Sequence, residues 1–180
     1  TAYLVRDIDP GGSSSPNRLT DIGGGLLLFG AVTPATGWEL WRTDGTLAGT
    51  VALPEIDRGP AHGLAGPLTV IGGMAYFQGN DALGQELWKT DGQATGPVLV
   101  KDIVPGAASG RPELLTPLNG ELYFRAAGAL WKSDGTAAGT QFVSGPEPRN
   151  LIAFNGALYF LAYPGAVDGL YRSDGTAGGT

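Results

Sequence analysis

The chain has 180 residues, 42% of them hydrophobic and 16% charged, with 31 glycines and 13 prolines. It is apolar enough to bury a core, and its turn formers suit many short strands and tight turns. The net charge is −6, and the 11 Lys and Arg are scattered rather than striped, which excludes a phosphate backbone as partner. No run approaches the ~20 apolar residues of a membrane helix.

The amino terminus carries no basic-then-apolar signal segment, so the chain reads as a mature or excised soluble domain. It has no cysteine, which removes disulfide and thiolate chemistry without fixing a compartment.

Residues 3–8, "YLVRDI", read as a strand with no sheet before it. Residues 7–18 begin like a calcium loop with Asp7, Asp9 and Gly12. However, Gly11 holds the fifth position, and Arg18 stands where an EF-hand places a bidentate Glu. Asp7, Asp57 and Asp102 therefore read as strand-end or turn residues, and neither a metal nor a cofactor is expected.

Next comes "LTDI-GG-GLLLF", and its pattern returns as "LTVI-GG-MAYF", "LTPL-NG-ELYF" and "LIAF-NG-ALYF". Gly-Gly and Asn-Gly tolerate the positive φ of a primed turn, so each segment predicts a hairpin of strands a and b. A loop and a third strand, c, follow. That strand opens "ELWRTDGTLAGT", "ELWKTDGQATGP", "ALWKSDGTAAGT" and "GLYRSDGTAGGT". After its Asp-Gly turn a fourth strand, d, is expected in "VALPEI", "VLVKDI" and "QFV".

The aspartates Asp44, Asp91, Asp134 and Asp174 stand about 47, 43 and 40 residues apart, the spacing of propeller blades or helical arrays. Frequent glycines and the lack of three-to-four apolar spacing reject helices. The fold class expected is all-β: a β-propeller of four four-stranded antiparallel blades, a single domain over 1–180 with repeats at approximately 1–50, 51–97, 98–140 and 141–180. The last repeat lacks a strand d, so residues 3–8 are expected to pair with it and close the ring. Two chains sharing these ends would instead make an eight-bladed ring, so the expected state is a monomer or a homodimer by strand exchange. A piece cut from a longer tandem array is the third alternative.

These phrases resemble the ELWxSDGTxxGTxLVxDI repeat of large bacterial tandem-repeat, hyalin-type proteins. The resemblance covers the whole chain and implies repeated β structure and a secreted or cell-surface location. The fourth unit departs from it at Gly169 and Tyr171, and the second at Gln93 and Pro97.

Asp44, Asp91, Asp134 and Asp174 read as turn clamps, because an Asp accepts from backbone N–H groups two residues on and the next Gly supplies the left-handed conformation. Trp41, Trp88, Trp131 and Tyr171 read as packing between blades. Trp38 lies outside that column and is the aromatic best suited to a ligand. Glu39 and Glu86 belong to the repeat column, so they describe the blade rather than a site.

The single histidine, His62, with no Gly-x-Ser-x-Gly elbow, argues against nucleophilic catalysis. A converging carboxylate pair that includes Glu113 is the remaining route to glycoside cleavage.

The d–a and b–c connections emerge together and are long and dissimilar, whereas the opposite turns repeat. Recognition tends to sit on such loops. The binding candidates are Asn17, Arg18, Trp38, His62, Arg111, Glu113, Arg149 and Asn150. The function expected is a non-catalytic extracellular binding or scaffold module for a protein or glycan. A carbohydrate-binding lectin and a carboxylate-dependent glycoside hydrolase are the alternatives.

Overall fold

The computed structural model describes residues 1–57, 62–162 and 168–180. Its regular structure is β throughout, apart from one short 3-10 turn at Ala177–Gly179. Each hairpin forms where the two-residue turns were read. Gly72–Gly73, Asn119–Gly120 and Asn155–Gly156 have positive φ at both turn residues, as the primed turns require.

Sheet 1 is ordered β1 (Asn17–Gly23), β2 (Leu26–Thr33), β3 (Gly37–Thr43) and β4 (Val51–Ala52). Sheet 2 runs β5 (Leu64–Ile71), β6 (Met74–Asp81), β7 (Gly84–Thr90) and β8 (Val98–Lys101). Sheet 3 runs β9 (Glu113–Leu118), β10 (Glu121–Ala126), β11 (Ala129–Ser133) and β12 (Gln141–Ser144). Sheet 4 has three strands among the described residues: β13 (Arg149–Phe154), β14 (Ala157–Ala162) and β15 (Gly169–Ser173). Sheets 1 to 3 thus keep the chain order a-b-c-d and sheet 4 shows a-b-c, and the strand that opens the second, third or fourth repeat completes the sheet of the one before.

The expected pairing of residues 3–8 with the last sheet is not made. Those residues form no strand, and β15 pairs with β14. They lie against sheet 1 instead. Arg6 donates to the Thr50 carbonyl at 2.8 Å and stands 5.9 Å over the Trp41 ring, while Ile8 packs on Phe29, Ala31 and Trp41. A cation over an indole and an aliphatic side chain on an aromatic cluster hold this segment without any ladder.

The chain divides into two compact units, residues 1–82 with 88–98 and residues 83–87 with 99–180. In the first, Ile22 and Leu28 lie against Gly92, and Leu64 lies against Gly30. The core of the second joins Leu118, Tyr123, Leu130 and Val143 of sheet 3 to Leu151, Leu158 and Phe160 of sheet 4. Continuous apolar runs such as "LYF" are explained by strands covered on both sides.

The repeated phrase is a hydrogen-bonded device. Asp44 Oδ1 accepts from the N–H and hydroxyl of Thr46 at 2.9 and 2.7 Å, and Asp134 and Asp174 do the same for Thr136 and Thr176. The Thr46 hydroxyl accepts from Gly49 N–H, the Thr50 hydroxyl donates to the Thr46 carbonyl, and Thr43 and Thr50 share a further hydroxyl bond. In the second copy Asp91 still accepts from Gln93 N–H and Thr90 from Gly92 N–H. Gln93 and Pro97 cannot supply the hydroxyls, so the rest of the device is absent there.

Candidate functional site: the d–a and b–c loops

The loops between strands d and a are pinned from inside the sheets. Glu39 is 1% exposed. Ile56 N–H donates to its Oε2 at 3.3 Å and Gly63 N–H to its Oε1 at 3.2 Å. Glu86 repeats this with shorter bonds, accepting from Ile103 at 2.7 Å and Gly110 at 2.6 Å. A buried carboxylate costs free energy unless it is hydrogen-bonded, and backbone donors at both ends of the loop satisfy it.

Burial pushes the Glu39 carboxyl up to about 7; the two backbone donors oppose that, and the nearby Glu55 and Asp57 add to it. The third and fourth repeats hold Ala129 and Gly169 in this column. The connection after sheet 3 is correspondingly short, running from Ser144 to Arg149 through a cis Gly145–Pro146 bond. Glu39 and Glu86 are thus structural clamps for the d–a loops that follow them.

Two groups of candidate residues form above these clamps. In the first unit, Trp38 N–H donates to His62 Nδ1 at 2.9 Å, which leaves the ring proton on Nε2. Asn80 braces the same loop, with its side chain donating to the His62 carbonyl at 3.3 Å and its N–H to the Gly63 carbonyl at 2.7 Å. Gly30 lies beneath: a β-carbon there would stand 3.3 Å from both Trp38 Cζ3 and Asn17 Oδ1. Trp38 and Asn17 therefore meet over Gly30, and His62 joins them through the Trp38 backbone. Arg18 follows at φ 57, within a bulge that interrupts pairing between Asn17 and Thr20. Residues 58–61 of the loop that was read as variable lie outside the described residues.

In the second unit, Arg111 and Glu113 line a polar cavity of about 180 Å³ together with Ser109, Arg125 and Glu147. Arg125 bridges the two acids, pairing with Glu113 and standing 3.1 Å from Glu147. Arg111 N–H donates to the Gln85 carbonyl at 2.9 Å and the Ser109 hydroxyl accepts from Gln85 N–H at 3.1 Å, fixing this loop to strand c. Arg149 opens β13 opposite Leu161, and Asn150 beside it has φ 51. Both are exposed and lie outside the cavity lining.

Sequence reasoning missed Arg125 and Glu147. From the Leu118–Glu121 pair, an unbroken register would set Leu114 opposite Arg125. A bulge with Leu114 at φ 57 brings Glu113 there instead, and a non-glycine residue at positive φ leaves no mark in the sequence.

The aromatic column is packed. Trp41 lies 6.4 Å from Phe29, Trp131 meets Phe142 edge-on, and Tyr171 stacks on Phe160 at 5.5 Å. Gly79 admits the Trp88 indole, since a β-carbon there would stand 2.6 Å from its Cδ1. Asp9 and Asp102 cap turns, accepting from Gly11 and Gly106 N–H groups at 3.3 and 3.1 Å. Among the described residues, no group of three or more His, Cys, Asp or Glu could hold a metal ion. No helix among them is long and apolar enough to cross a membrane.

No family model matches the chain, and no curated protein matches it. Among solved structures, a chain of the nidogen/laminin complex aligns with a TM-score of 0.54 at 14% identity, over 89% of this chain and 60% of that one. A GH74 enzyme of Niastella koreensis aligns with a TM-score of 0.46 at 14% identity, over 82% of this chain and 23% of that one. The chain therefore spans about 60% of the length of the nidogen/laminin chain it resembles. Together with four antiparallel sheets of three or four strands in chain order, the first likeness makes the fold propeller-like.

Proposed function

We propose that the chain is a non-catalytic extracellular binding or scaffold module that offers its d–a and b–c loops to a protein partner. The observation that carries this reading is the pair of buried carboxylates, Glu39 and Glu86, each holding both ends of a loop whose outer residues differ. Loops fixed before binding lose little entropy on docking, which favours affinity.

The residues so presented are aromatic, basic and amide side chains, a chemistry suited to protein contacts. Likeness to a chain of a complex between two proteins supports the same reading, and the repeat resemblance supports secretion.

A glycan is the second reading, and Trp38 favours it, since a half-exposed indole near the Asn17 amide suits a sugar face. Hydrolysis has less support, because Glu113 is held by Arg125 and the other buried acids are clamps.

The test immobilises the chain and exposes it to extracellular-matrix and envelope proteins, a glycan array and aryl glycosides. Saturable protein binding, weakened about tenfold or more by Trp38→Ala or Arg111→Glu, is expected. Glycan binding alone, lost in Trp38→Ala, would replace this reading with the lectin. Glycoside turnover abolished by Glu113→Gln would replace it with the hydrolase.

A further inference from the structure

The tight turns hold two kinds of fragile bond: Asp-Gly in each copy of the repeated phrase, and Asn-Gly at Asn119–Gly120 and Asn155–Gly156. Both invite the same reaction, in which the glycine nitrogen attacks the Cγ of the residue before it. A glycine has no side chain to block that approach. Whether the reaction runs depends on what holds the nitrogen and the Cγ.

In the repeated phrase both are held. Gly45 N–H donates to the Thr43 hydroxyl at 2.9 Å, and Gly92, Gly135 and Gly175 are tied in the same way to the hydroxyl two residues before them. Each aspartate Oδ1 accepts from the N–H two residues on, and Asp44, Asp134 and Asp174 accept from a threonine hydroxyl as well. The Thr46 and Thr176 hydroxyls, with their N–H groups, hold the Asp44 and Asp174 carboxyls below the usual aspartate range, and an ionised carboxylate is a poor electrophile.

The two Asn-Gly turns have none of these restraints. Asn119 and Asn155 sit at φ 53 and 48 at the exposed tips of the β9–β10 and β13–β14 hairpins. Among the described residues, neither their side-chain amides nor the N–H groups of Gly120 and Gly156 make a hydrogen bond. No atom lies within 4 Å of where a β-carbon on Gly120 or Gly156 would be, which leaves room for a ring to form there. Opening such a tip is a local event that leaves the strands paired.

We propose that Asn119 and Asn155 are sites of spontaneous deamidation, and that the repeated phrase shields its own Asp-Gly bonds from the equivalent rearrangement. The glycine nitrogen loses its proton to solvent hydroxide and bonds to the asparagine Cγ; the amide nitrogen leaves as ammonia, closing a succinimide. Water then opens the ring at either carbonyl, giving aspartate or isoaspartate without oxidation or reduction. Each event adds one negative charge to the net −6, and isoaspartate also adds a main-chain carbon at the hairpin tip. These turns are separate from the d–a and b–c loops, so the proposal stands or falls without the binding reading.

The test incubates the folded chain and the chain in denaturing urea side by side in mildly alkaline buffer. Peptide mass spectrometry reads deamidation, and an isoaspartyl methyltransferase reads isoaspartate. Asp44→Asn places an Asn-Gly bond inside the shielded turn and keeps the acceptor for Thr46. In the folded chain, Asn119 and Asn155 should convert about tenfold or more faster than the substituted position 44, where at least two hydrogen bonds must break first. In urea all three should convert at similar rates. Asp134→Asn makes the same comparison if Asp44→Asn misfolds. Asn119 and Asn155 that stay intact in the folded chain while the urea sample converts would overturn the proposal, as would a substituted Asp-Gly turn that converts as fast as they do.

Discussion

The Glu39 carboxylate fills the space that a side chain on residue 63 would need, and Glu86 stands in the same relation to Gly110. Each glycine brings its N–H to a buried oxygen at a range that no β-carbon permits. At Gly110 a β-carbon would stand 2.7 Å from Glu86 Oε2 and 2.8 Å from Ile103 Cβ. Gly63→Ala and Gly110→Ala should therefore each cost about 1 to 3 kcal/mol, the usual range for forcing extra volume into a packed site. Gly178→Ala, with nothing within 4 Å, should be nearly neutral. Urea midpoints at constant slope measure both.

Glu39 also sets a pH dependence. Its folded pKa is raised from 4.5 to about 7, so the folded state holds the proton more tightly than the unfolded chain. The stability from this group is full below about 4.5 and is lost as pH rises through about 7. The loss is up to about 3 kcal/mol, since each tenfold change in proton affinity is worth about 1.4 kcal/mol. Denaturation at pH 5 and pH 8 should show this difference, and Glu39→Gln should flatten it.

Asp44 and Asp174 act in the opposite direction. The Thr46 and Thr176 hydroxyls, then their N–H groups, hold these carboxyls below the usual aspartate range. Their contribution is present above the unfolded value and is lost as pH falls through the lowered folded one. Asp44→Asn keeps an acceptor and should be mild. Asp134→Ala removes two bonds from the same kind of turn and should cost about 1 to 2 kcal/mol, read as a lower Tm.

The incomplete second phrase can be repaired. Gln93→Thr with Pro97→Thr restores the hydroxyls that Thr46 and Thr50 supply in the first copy. A net gain of about 1 kcal/mol is expected after the lost proline restraint is set against the new bonds. A chain no more stable by calorimetry would show that the hydroxyl network adds nothing at this turn.

Arg6 ties the amino-terminal segment to Thr50 and Trp41. Arg6→Ala should loosen residues 1–8 with little change in global stability. Hydrogen exchange at those residues should speed up while the sheets stay protected.

The sequence by itself determined the local units. Gly-Gly and Asn-Gly between apolar runs fixed the hairpins, and the Asp, Gly and Thr of the repeated phrase fixed the turn between strands c and d, because both depend on φ preferences and hydrogen bonds a few residues apart. The column of Glu39, Glu86, Ala129 and Gly169 was legible as a column. Its loop partners, Ile56 with Gly63 and Ile103 with Gly110, lie too far along the chain for local chemistry to announce.

Only the tertiary structure decided the bulge that sets Glu113 against Arg125, the gathering of Trp38 with Asn17 over Gly30 and with His62 through its backbone, and the course of residues 3–8 along sheet 1. The bulge turns on one residue of register, the gathering on contacts between separate strands, and the strap on Ile8 and Arg6 finding an aromatic surface. A repeat pattern is silent on all three, because it records what the units share and these features belong to single units.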